Sequence, residues 1–121
     1  MATVAAFRGL GIGLHSMIWN WRKTIQCIEK YKSGLLFNDQ FIDQLKVIYP
    51  KLNLIAESAI WEAWNKMCTV EAFGREAFSQ LEALEQSGIS VYIFSRTNRA
   101  HVAHIQDQLG KNIPGKAFYS Y

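Results

Sequence analysis

The sequence is short of cysteine, of acid near its amino end and of any long apolar run, and each shortage excludes something. Its two cysteines, Cys27 and Cys68, both stand at helix-like positions among apolar neighbours. Lone buried thiols in a reducing compartment fit that pattern better than a disulfide. The apolar stretch that starts at Ala2 is broken by Arg8, His15, Asn20 and Arg22, and no basic segment precedes an apolar core. It is neither a signal peptide nor a membrane span, so a soluble cytoplasmic protein with no membrane partner is expected. No carboxylate precedes Glu29. Internal repeats, low-complexity tracts and linkers are also lacking.

What is present suits one small globular domain. Half the 121 residues are hydrophobic and 19% are charged, enough for a single core. The formal charge is +3 and the pI is near 9.0. The basic residues are scattered, with loose groups at Arg22/Lys23/Lys30/Lys32 and Arg96/Arg99/Lys111/Lys116. Such scatter reads as solvated helix faces, so no nucleic-acid partner is expected. An anion site near Arg96 and Arg99 stays open.

Hydrophobic periodicity sets the element order. Thr3 to Phe7 reads as a buried strand, followed by a turn at Arg8-Gly9-Leu10-Gly11-Ile12-Gly13. The glycine spacing is not GxGxxG, and no Lys-Ser/Thr completes a P-loop. From Met17 to about Lys32, Ile18, Trp21, Ile25 and Ile28 form one helical stripe closed by Ser33-Gly34. A second helix starts at Asn38, carries Phe41, Ile42, Leu45, Ile48 and Tyr49 inward, and stops at Pro50. A third runs from about Leu54 to Met67 with Ala56, Ile60, Ala63, Trp64 and Met67 aligned. A fourth, from near Thr69, presents Phe73, Ala77, Leu81 and Leu84 before Gly88.

The centre of the sequence is Gly88 to His101. Gly88 stops a helix, and Ile89, Val91, Tyr92, Ile93 and Phe94 form a β-rich run expected to be covered on both faces. Ser95, Thr97 and Asn98 follow, at the strand end where open α/β sheets bind ligands. A helix from Asn98 to Leu109 buries Val102, Ile105 and Leu109 and ends at Gly110. After a loop through Pro114-Gly115, residues 117–121 read as a last strand. Two strands joined through a helix favour a parallel pair.

The expected fold is α/β: a small three-stranded parallel sheet, a partial Rossmann-like core, with an inserted four-helix cap. Residues 1–14 and 88–121 make the core and 15–87 the cap and crossover helices, in one compact unit.

The run Gly88-Ile89-Ser90-Val91-Tyr92-Ile93-Phe94-Ser95-Arg96-Thr97-Asn98-Arg99-Ala100-His101 resembles the second motif of haloacid-dehalogenase-like hydrolases, in the subgroup of the form hhhLSNTNxhH (h, apolar). Tyr31 to Gly34, Phe41-Ile42 and Glu62 to Met67 are similar to that subgroup's helical cap, and residues 117–121 to its third core strand. The resemblance spans about residues 29 to 121. It implies a phosphatase-like fold with an aspartate nucleophile after strand one, a second acid two residues on, a phosphoryl-binding hydroxyl after strand two, a supporting lysine and magnesium-binding acids. By position, Ser95 matches the phosphoryl-binding hydroxyl, with Thr97 and Asn98 beside it.

The first motif departs from the family. Val4 to Ile12 aligns with a motif of the form hhhFDLGGV, and Arg8 stands at the position of the nucleophile. A guanidinium stays protonated and has no lone pair with which to attack. The sequence also ends at Tyr121, before the supporting lysine and late acids. No catalytic residue, metal ligand or cofactor is therefore assigned, and magnesium is expected for the intact family alone. The chain is expected to be a hydrolase remnant or fragment without phosphoryl transfer by itself. The alternative is a binding or assembly module. It would use an exposed edge of the Val4–Phe7 strand, or an anion pocket for phosphate built by Arg8 and Ser95. Its partner would be a small anion, another protein or a second copy.

Other clusters carry less. His101 and His104 share a helix face, with Asp107 three residues on, and read as a surface or interface pair rather than a metal site. A pairing of Cys27 or Cys68 with His15 has no support in spacing. Asp39/Asp43 and Glu82/Glu85 read as solvated carboxylates.

Overall fold

The expected first strand is a helix. In the computed structural model, which describes residues 2–68 and 70–121, α1 spans Ala2–Gly9. Val4 and Phe7 lie one turn apart, and Phe7 is buried in the core with Val4 and Leu10 against it. Ala5 and Ala6 lower the cost of helix. A short apolar run carries both periods, and here packing selected the helical one.

Five further helices and two strands follow: α2 (Leu14–Lys32), α3 (Asn38–Ile48), a 3-10 turn (Pro50–Leu54), α4 (Glu57–Asn65), α5 (Ala72–Gln86), β1 (Tyr92–Ser95), α6 (Arg99–Leu109) and β2 (Lys116–Tyr119). The expected start of the fourth helix at Thr69 lies outside the described residues. The fold is α/β and mostly helical. Its sheet, among the described residues, has two parallel strands rather than three. The register pairs Tyr92 with Lys116 and Ser95 with Tyr119, so the expected parallel pairing of these two segments is present.

The core belongs to the helices. α1 packs on α2 and α4, α2 on α3, and α4 on α6. Residues 1–14, expected to join the sheet, therefore contribute α1 to the helical body. Phe41, Leu45 and Leu52 are fully buried, and Tyr31, Ile42, Ile60 and Trp64 nearly so. The inward face expected for α3 is the one observed, with the Phe37 N–H bonded to Gln40 Oε1 at 3.0 Å at its start. Pro50 does more than end α3, because it opens the 3-10 turn.

α2 is rotated from expectation. Its buried residues are Met17, Thr24, Cys27, Ile28 and Tyr31; of the expected stripe Ile28 is buried, while Ile18, Trp21 and Ile25 are exposed. Thr24 tolerates burial because its hydroxyl lies 3.0 Å from Asn20 O and 2.7 Å from the Tyr49 hydroxyl. The sheet departs too. Phe94 is 78% exposed, and Tyr92 and Phe118 are also open to solvent, so β1 is not covered on both faces. No described side chain of α5 is buried, although helices normally cover both faces of a parallel sheet.

Candidate functional site at the strand ends

Ser95 stands exposed at the carboxyl end of β1, and the chain then enters α6 through Arg96, Thr97 and Asn98. The loop is tied to β2 and to the end of α2. Ser120 N–H donates to Ser95 O at 3.2 Å. Thr97 N–H donates to Ser120 Oγ at 3.1 Å, and that hydroxyl donates to Lys32 O at 2.7 Å. Gly34 has φ of 76°, and a Cβ there would sit 3.1 Å from Tyr121 Cα. Only glycine combines that backbone with so close an approach.

Two of the cations at this end, Arg96 and Arg99, are already engaged. Arg96 forms an ion pair with Glu29. The Arg99 guanidinium lies 4.8 Å from the ring centre of Tyr121 and 5.1 Å from that of Phe37, within cation–π range. The amides at the start of α6 are also used: Ala100 N–H donates to the Tyr31 hydroxyl at 3.2 Å and His101 N–H to Asn98 Oδ1 at 3.0 Å. The Tyr31 hydroxyl in turn donates to Asn38 Oδ1 at 2.7 Å. Burial, opposed by the Ala100 bond and Arg99, raises the Tyr31 pKa, so the hydroxyl stays a donor.

The residues predicted for the site thus separate. Ser95 and Thr97 lie together at the strand end, Thr97 half-buried. Asn98 is fully buried and caps α6, so its side chain faces the core. Arg8 is exposed in the last turn of α1, and with no first strand it does not stand at a strand end beside Ser95. The anion pocket expected from those two residues therefore lacks the strand end that would carry Arg8. A groove of about 440 Å³ between α1 and α4, lined by Ala5, Leu10, Ala59, Ala63 and Met67, lies on the helical body. Its charged residues, Glu62 and Lys66, pair with each other at 3.5 Å.

Cys27 is buried and its thiol is pushed up to about 11 by desolvation, against a small opposing effect of Lys30. Burial also raises the pKa of Cys68. Both are free thiols and poor nucleophiles in these settings. Asp39, Asp43 and Glu85 are exposed, and Glu82 pairs with Lys111. Among the described residues, no three His, Cys, Asp or Glu side chains gather as metal ligands do. Nor is any described helix long and apolar enough to cross a membrane.

His101 is not the open surface residue that its helix position suggests. It is half-buried and stacks on Trp64, with ring centres 5.2 Å apart and planes at 22°. Asn98 Nδ2 lies 3.1 Å from its Nδ1 and Trp64 O lies 3.3 Å from its Nε2. An amide nitrogen can only donate and a carbonyl only accept, so Nδ1 is the bare nitrogen and Nε2 carries the proton. The available signal was the spacing: His101 is the third helical residue after the Asn98 cap, where a side chain reaches back to the cap.

Burial, joined by Lys32 and His104 and opposed by the Trp64 bond, holds the His101 pKa below 6.5. The unfolded chain protonates near about 6.5. Stability is therefore complete above that pH and declines as pH falls from it to the folded pKa. Urea unfolding midpoints at about pH 7.5 and 5.5 should show the decline in the native chain and a smaller one in His101→Gln. An equal decline in both would assign the effect to another group.

Comparison of the chain with protein-family models, with curated proteins and with solved structures gives no match.

Proposed function

We propose that the chain is a haloacid-dehalogenase-like remnant that does not itself transfer phosphoryl groups. The observation that carries this reading is the parallel pair Tyr92–Ser95 and Lys116–Tyr119, joined through α6, with the Ser95 hydroxyl exposed at the carboxyl end. That is where ligands of open α/β sheets bind, and it is the position the resemblance gives to the phosphoryl-binding hydroxyl. Lack of turnover follows from the chemistry of the neighbours. Covalent phosphoryl transfer needs a carboxylate nucleophile and a metal to offset developing charge. Glu29, the carboxylate brought to this end, is held by Arg96. The Ser95 and Thr97 hydroxyls do not make a magnesium site, which calls for carboxylate oxygens. The residues present do not fit that ion.

The test is hydrolysis of p-nitrophenyl phosphate with magnesium, comparing the native chain with Ser95→Ala. Equal background rates are expected. Turnover that Ser95→Ala abolishes would overturn the reading.

A second reading, an assembly module working through the sheet, is favoured by one observation. Phe94 and Phe118 stack at 5.0 Å and 11° on a face left open to solvent, which parallel sheets rarely leave bare. The Val4–Phe7 edge first considered for that role does not exist, because those residues are helical.

A further inference from the structure

One helix leaves an apolar face bare and another leaves one half-covered, and the two faces carry opposite charge. On α2, Leu14, Ile18, Trp21 and Ile25 recur at alternating four- and three-residue steps, the spacing of a coiled-coil seam. All of them are exposed, Ile18 at 69%. Arg22, also exposed, lies one turn from both Ile18 and Ile25 and so flanks the seam. The one acid of α2, Glu29, is taken by Arg96, so the helix is net positive through Arg22, Lys23, Lys30 and Lys32.

On α5, Ala77, Leu81 and Leu84 recur with the same steps and Phe78 lies beside them, none buried. Glu85, exposed and one turn beyond Leu81, flanks this second seam. With Glu82 taken by Lys111, Glu76 and Glu85 against Arg75 still leave α5 net negative. An amphipathic helix of this length is marginal in water without a covering surface. Its own α2 is out of reach: Arg75 donates to Gln108 O at 2.9 Å and Glu82 pairs with Lys111, which tie α5 to the carboxyl end of α6. Tyr31 of α2 meets the amino end of α6 instead, at Ala100.

We propose that a second copy of this chain covers both faces: α5 of one molecule lies along the Leu14–Ile25 seam of the other, with Glu85 against Arg22. Charge selects this arrangement, because α2 on α2 or α5 on α5 would set like charges together. A two-fold axis makes the contact twice and closes a dimer. The proposal does not depend on the phosphatase-like reading.

Sedimentation velocity from about 1 to about 200 µM, the range of weak association, should show a concentration-dependent dimer. Ile18→Asp should weaken it by about tenfold or more with an unchanged helical circular dichroism spectrum, since Ile18 is exposed in the single chain. Arg22→Glu and Glu85→Arg should each weaken it about threefold, and the double variant should restore it. A monomer throughout overturns the proposal, as does a dimer indifferent to Ile18→Asp or a double variant that shows no recovery. So does a monomer that instead uses the same seam to bind phosphatidylglycerol vesicles.

Discussion

Asn98→Ala is expected to cost about 3 kcal/mol and to lower the thermal midpoint by about 10 °C. The side chain is fully buried and joins three groups. Its Oδ1 accepts the His101 N–H at 3.0 Å and faces the Trp64 indole N–H at 3.5 Å. Its Nδ2 meets His101 Nδ1 at 3.1 Å. Losing the cap alone costs about 1 kcal/mol. The indole donor and the imidazole acceptor, left unpaired in the core, add about as much again or more. Asn98→Asp separates the terms. It keeps the acceptor for the cap and suits the positive end of α6, but it withdraws the donor from Nδ1. A carboxylate beside the imidazole also favours the charged ring, so this variant should lose less stability and raise the His101 pKa. Equilibrium unfolding of both variants is the measurement. An Asn98→Ala chain as stable as the native one would leave the residue free for a ligand-binding role.

Local chemistry is the part of this fold that can be read from the sequence. Asn98 at the start of α6 and Gly110 at its end, φ 67°, act through their own backbone, so neighbouring residues suffice to place them. The parallel pairing of β1 with β2 follows from the helix between them. What depends on distant partners was not legible. Val4, Ala5, Ala6 and Phe7 suit a strand or a helix, and the helical body decided the matter: α1 packs on α2 and α4, and Phe7 meets the Tyr49 ring at 5.5 Å. The apolar arc of α2 is wide enough to present either Ile18/Trp21/Ile25/Ile28 or Met17/Cys27/Ile28 to the core. α3 and the Tyr49 hydroxyl on Thr24 select the second. The candidate site divides the same way: Ser95 and Thr97 are placed by the strand that carries them, whereas Arg8 needed a strand that the tertiary structure did not build.

Phe41→Ala should cost more still, about 4 kcal/mol, and its effect should reach the strand ends. The ring is fully buried. It stacks on Tyr31 at 4.2 Å and 11° and meets Trp64 edge-on at 5.0 Å. Little of the cavity can close, because Tyr31 is held at its far end by Asn38 and Ala100. If Tyr31 does shift into the space, it gives up the Ala100 amide, and hydrogen exchange there should speed up beyond the change expected from global stability. Phe94→Ala is the control. Phe94 is 78% exposed, so apart from its stacking on Phe118 its removal should cost about 1 kcal/mol or less. That asymmetry locates the stability in α1–α4, with the Ser95 end of the sheet held to them through Tyr31, Asn98 and the Lys32–Ser120 bond. Equal losses from Phe41→Ala and Phe94→Ala in urea titrations would mean that the sheet supports itself, and the dependence of the strand ends on the helical body would have to be abandoned.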